Sequence, residues 1–119
     1  MYTLHLEIPA IPKSLNKAFR TNRFASNNLN KIWDRVIWEA CKGQLPPEPL
    51  QNARIVIRRD FYRTLDYDGL VGSMKPVVDG LVTAGVLIDD SWKTLGVWDV
   101  SQFFRPKKDG PLLRISIYG

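Results

Sequence analysis

The stretch NARIVIR, residues 52 to 58, and the change of period that follows it restrict this chain more than any other feature. Ile55 and Ile57 project to one side of an extended strand, and Arg54, Val56 and Arg58 to the other. Such a strand belongs in a sheet whose second face is only partly buried. Further on, Leu70, Met74, Val77, Val78 and Leu81 recur at helical intervals. That spacing predicts a helix from about 70 or 73 to 84, with Pro76 near a first turn or at a kink and Gly85 as the C-terminal cap. A strand leading into an amphipathic helix buries its apolar side by packing that helix against a sheet.

The flanking segments extend the pattern. In YTLHLEI, residues 2 to 8, Tyr2, Leu4, Leu6 and Ile8 share one face of a strand, leaving His5 on the other with Thr3 and Glu7. Pro9 and Pro12 end that strand, and KSLNKAFRTNRFASN reads as a loop with one short turn. Leu29, Ile32, Trp33, Val36, Ile37 and Ala40 form an apolar helical stripe over 29 to 41, capped by Asn27, Asn28 or Asn30 and stopped near Gly43. Trp33 and Trp38 read as packing residues. TLGVWDVSQFF and PLLRISIYG supply two more strands, with PKKDG between them as a hairpin turn. The order strand, helix, strand, helix, strand, strand predicts an α/β (α+β) fold over residues 1 to 119, a small mixed sheet with two main helices packed against it.

Charge bears on partners. Lysine and arginine exceed aspartate and glutamate by five, which favours association with polyanions such as nucleic acid. Lys13, Lys17, Arg20 and Arg23 lie in the early polar segment, and Arg105, Lys107 and Lys108 in a late one; each is a candidate phosphate contact or part of a solvated loop. His5 is the one histidine, so a histidine relay has little to draw on. Cys41 is the one cysteine and is expected to be reduced and partly buried. The opening MYTLHLEIPAIPKS does not read as a signal peptide, and no window approaches the ~20 apolar residues of a membrane span. A cytoplasmic protein is expected.

The unusual chemistry lies in RRDFYRTLDYDGL, residues 58 to 70, where Asp60, Asp66 and Asp68 stand among Arg58, Arg59 and Arg63. A second acidic pair, Asp89 and Asp90, follows the turn after the predicted helix. Hard divalent cations prefer carboxylate oxygens, and aspartates from the two segments with water and a phosphate oxygen would make a partial shell. Nearby guanidinium or ammonium groups would complement the phosphate. The competing reading is a solvated acidic turn. Lys75 and Asp79, four residues apart, form either a helical ion pair or a phosphate contact with its orienter.

The stretch TLDYDGLVGSMKPVVDGLVTAGVLIDDSWK, residues 64 to 93, resembles the core of the RusA family of Holliday-junction resolvases. The family's Asp-x-Asp falls on Asp66 and Asp68, its lysine on Lys75, its helical aspartate on Asp79, its Ala-Gly turn on Ala84 and Gly85, and its acidic pair on Asp89 and Asp90. IPKSLNKAFR resembles the family's early run and places Asn16 in it. Gly69 stands where the family has asparagine, and Lys75 follows Asp68 at a longer interval than in the family.

The resemblance implies Asp66, Asp68 and Asp90 as catalytic metal-binding carboxylates, Lys75 as the active-site lysine, and Asp79 and Asp89 as secondary acidic residues. It implies dependence on Mg2+, with Mn2+ as a substitute, and a homodimer in a bacterial cell or prophage making paired nicks in four-way or branched DNA. Lys13, Asn16, Lys17, Arg20, Arg23, Arg59, Arg63, Lys93, Lys107 and Lys108 are the expected nucleic-acid contacts. Two other readings stay open, a non-catalytic basic nucleic-acid-binding protein of the same fold and an assembly protein whose charge serves solubility.

Overall fold

The computed structural model describes residues 2–12, 23–89 and 95–119, with side chains described throughout these except at 23–29 and 95–97. The elements are β1 (Thr3–Ile8), α1 (Arg23–Cys41), β2 (Ala53–Phe61), α2 (Tyr67–Ser73), α3 (Lys75–Thr83), β3 (Leu95–Phe104), a 3-10 turn (Lys107–Asp109) and β4 (Leu112–Tyr118). The strands form one four-stranded mixed sheet in the order β1-β4-β2-β3. β4 runs antiparallel to both β1 and β2, and β3 runs parallel to β2.

One face of the sheet carries the core. Leu4, Leu6 and Ile8 of β1, Leu113, Ile115 and Ile117 of β4, and Ala53, Ile55 and Ile57 of β2 are buried. They share one core with Trp33, Ile37 and Cys41 of α1 and Met74, Val77, Val78 and Leu81 from the region of α3. Full burial of each large aliphatic side chain stabilises by roughly 1.5–3 kcal/mol, so this α/β layer contact is the main source of stability. Cys41 is fully buried, and the apolar surroundings push its thiol up to about 11. His5 faces away from the core and bonds to the Ser116 hydroxyl across the strand pair at 2.9 Å.

Several elements differ from the sequence expectation. α1 begins at Arg23, so Asn27, Asn28 and Asn30 lie inside it rather than at its start. Trp33 packs in the core, but Trp38 and Ile32 are exposed, because α1 buries only the narrow stripe that meets β1 and α3. The helix expected over 70 to 84 is two helices that break at Met74 and begin earlier, at Tyr67. Pro76 enters in the first turn of α3, where a missing N–H leaves no helical bond unmade. Gly85, at φ 88°, ends α3 in a Schellman arrangement: the Val86 amide donates to Leu81 and the Gly85 amide to Val82. Finally, β3 and β4 are not a hairpin. β2 lies between them, and the 3-10 turn carries the chain from the sheet edge across to β4.

The contact between α1 and α3 depends on Gly80. A β-carbon there would lie 2.9 Å from Ile37 Cγ1 and 3.3 Å from the Trp33 carbonyl oxygen. Gly80→Ala should therefore destabilise the fold by on the order of 1 kcal/mol, because overpacking against backbone outweighs the gain in helix propensity. Urea unfolding checks this; an unchanged or raised midpoint contradicts the close approach.

Candidate metal and nucleic-acid site

β2 and β3 are the parallel pair, and the chain leaves both at their carboxyl ends, on one side of the sheet. Ligands of open α/β sheets gather at such ends. From β2 the chain enters residues 62–66 and then α2; from β3 it enters the 3-10 turn with Lys107 and Lys108. The Arg105 amide donates to the Phe61 carbonyl at 3.1 Å, and the Arg105 side chain braces the turn by donating to the Gly110 carbonyl at 3.0 Å and that of Asp109 at 3.3 Å.

The acidic turn is built by helix capping. Asp66 is the N-cap of α2, and its Oδ1 accepts from the Gly69 amide at 2.8 Å. Asp68 lies in the first turn, where the helix dipole favours a negative charge, and is exposed. The two were expected in a loop ahead of the helix; they mark its beginning instead. Gly69 follows from the same geometry, since a β-carbon at this position would fall 2.7 Å from Asp66 Oδ1. A side chain at 69 would thus turn the Asp66 carboxylate out of its cap.

Cations gather on an aromatic ring four residues ahead of this turn. Tyr62 is flanked by Arg63 Cζ, 5.3 Å from its ring centre, and by Lys107 Nζ, 5.4 Å from it. The structure therefore brings together two expected phosphate contacts from separate segments. Arg59 differs: it is buried beneath residues 62–66, and its Nη1 donates to the Arg63 carbonyl at 2.7 Å. Burial lowers its pKa, and among the described residues its Nε has no hydrogen-bond partner. It sits where it can shape the turn rather than touch a large ligand. Asp60 is also buried and accepts from Arg58 Nε at 2.8 Å, which makes it structural.

Lys75 and Asp79 form the i,i+4 ion pair at 3.1 Å on α3. Asp89 is exposed, just past the segment where Leu50 and residues 86–88 exchange backbone bonds. Asp90 and Lys93, like Lys13, Asn16, Lys17 and Arg20, lie outside the described residues, as does the side chain of Arg23. Among the described residues no three histidine, cysteine or acidic side chains come together. Asp66 and Asp68 suit magnesium as a donor set, because the capped carboxylate keeps a second oxygen and Asp68 is open to solvent; magnesium is commonly held by one or two carboxylates with water and phosphate.

Sequence reasoning missed Gln102. On β3 it follows Trp98 and Val100 on the core-facing side, and a polar residue in that alternation is the available signal. Its amide brackets Leu65, accepting from the Leu65 amide at 3.0 Å and donating to the Leu65 carbonyl at 2.6 Å.

Comparison with protein-family models finds no match, and comparison with curated proteins finds none either.

The capping role separates two substitutions. Asp66→Ala should cost about 1 kcal/mol in urea unfolding, whereas Asp66→Asn, an equally good cap, should leave stability unchanged. Equal losses in both variants would contradict the cap.

Proposed function

We propose that the chain is a magnesium-dependent endodeoxyribonuclease that resolves Holliday junctions and related branched DNA by paired phosphodiester hydrolysis, as its resemblance to the RusA family implies. The observation that supports this reading is an exposed acidic turn, Asp66 to Asp68, that follows in the chain shortly after a cluster of Arg63, Tyr62 and Lys107 at the carboxyl ends of β2 and β3. Hydrolysis of a phosphodiester needs both charges in one place: carboxylates for the cation, and cations for the DNA backbone.

In this reading Asp68 and the free oxygen of Asp66 hold the ion, with Asp90 as the third carboxylate that the resemblance implies. Bound magnesium supplies polarisation of the scissile phosphate and a more acidic water. Manganese, also a hard oxygen-seeking ion, substitutes. Arg63 and Lys107, both against the Tyr62 ring, hold flanking phosphates. Lys75, paired with Asp79, takes the family lysine's place by exchanging that partner for a phosphate oxygen. A homodimer would present two such sites to the symmetric strands of a four-way junction. Among the described residues no helix is long and apolar enough to cross a membrane. A cytoplasmic location fits a DNA substrate.

One observation favours a second reading, a non-catalytic nucleic-acid-binding protein of the same fold: Asp66 already has a structural duty as the cap of α2. Asp68 has no such duty and decides between the two. With magnesium, the protein should cut a synthetic four-way junction, and Asp68→Asn should reduce cutting to background while retaining junction binding in a gel-shift assay. Binding without cleavage across magnesium and manganese, by wild type and variant alike, would favour the second reading.

A further inference from the structure

We infer that Gln102 and Arg59 are positioning residues that set the place of the acidic turn from beneath. The inference rests on the nuclease reading above. The two residues are register partners on the parallel strands, Arg59 on β2 and Gln102 on β3. Each reaches the backbone of the crossing segment: Arg59 Nη1 donates to the Arg63 carbonyl at 2.7 Å, and the Gln102 amide closes a two-bond ring with Leu65 at 2.6 and 3.0 Å. Residues 62–66 are thus fastened at alternate positions to two neighbouring strands. Asp66 follows Leu65 directly, and its carboxylate then starts α2. The positions of Asp66 and Asp68 are accordingly set by side chains on a sheet rather than by the loop itself.

Stability alone is a poor reason for these two residues. A buried guanidinium is costly unless its donors are well paired, yet Arg59 meets a backbone carbonyl and its Nε has no partner among the described residues. An apolar side chain at 102 would continue the face begun by Trp98 and Val100 without polar atoms to satisfy. The polar pair instead holds fixed residues 62–65, which belong to neither strand nor helix. Partners that orient metal-binding side chains typically alter metal affinity by about 10–100-fold when removed.

The test uses the full chain and manganese as the probe. Gln102→Leu removes both bonds to Leu65 while keeping an apolar side chain of similar length. Gln102→Glu keeps an acceptor for the Leu65 amide and sets a charge against its carbonyl. Manganese binding is read by electron paramagnetic resonance of the free ion, and junction cleavage by titration with manganese.

Gln102→Leu should weaken manganese binding about ten-fold, and cleavage should recover towards the wild-type rate at saturating manganese. Gln102→Glu should show a smaller shift in the same direction, and it serves alone if the leucine variant does not fold. Ile57→Val, a core substitution two residues before Arg59 that leaves both polar side chains and their bonds in place, should lower the melting temperature without moving the manganese affinity. Unchanged affinity in the Gln102 variants, or an equal shift in Ile57→Val, would overturn the inference. If wild type binds manganese and Asp68→Asn does not, while the Gln102 variants bind as wild type, the positioning role alone fails. If wild type binds no manganese, the nuclease reading falls and the positioning role with it.

Discussion

β2 is bonded along its length to β4 on one side and to β3 on the other, and this double pairing governs the rest of the molecule. With both edges taken, its side chains must divide between a face under the helices and a face open to solvent. Ala53, Ile55 and Ile57 fill the first, and the same alternation carries Arg59 inward and places Arg58 and Asp60 on the second, where Asp60 is nonetheless buried against Arg58. The parallel partnership with β3 sends both strands' carboxyl ends to one side. There the crossing segment lies over Arg59 and Gln102, and α2 starts where that segment lets it.

The open face shows how the charge is distributed. Arg58 and Arg114 stand directly opposite each other on β2 and β4, a like-charge pair that is unfavourable by itself. Asp60 relieves Arg58 at 2.8 Å, and Glu7 approaches Arg114 at 3.7 Å. Arg54 pairs with Asp99 on β3 at 3.2 Å. Arginine and carboxylate charges therefore largely offset one another across this face. Its exposed pairs contribute little to stability, on the order of 0–1 kcal/mol each. Arg63, Arg105, Lys107 and Lys108, at the carboxyl ends of β2 and β3, supply positive charge outside these pairs.

The parts of the fold legible in the sequence were those with a clean period. The alternation in β1 and β2, the apolar spacing from Leu70 to Leu81 and Gly85 all correspond to observed elements. Boundaries were less legible where glycine intervened. Gly69 and Gly72 carry poor helix propensity, so the turn that begins α2 was hidden; the Asp66 cap offsets that propensity. The place of β4 between β1 and β2 rests on tertiary pairing that no local pattern encodes. Of the site, Asp66 and Asp68 stood out by their spacing, and Arg63 and Lys107 by their charge. The inward turn of Arg59 follows from strand parity once β2 is extended to Phe61. Gln102 depends on a contact across 37 positions in sequence, beyond the reach of any motif.

We propose the acidic turn at the start of α2 as a cation site for phosphodiester chemistry. The most direct measurement is anomalous X-ray scattering from crystals of the protein soaked in manganese. An anomalous peak bonded to Asp68 and to the second carboxylate oxygen of Asp66 is expected. A peak confined to other parts of the molecule, or no peak beside these two carboxylates at saturating manganese, would contradict it.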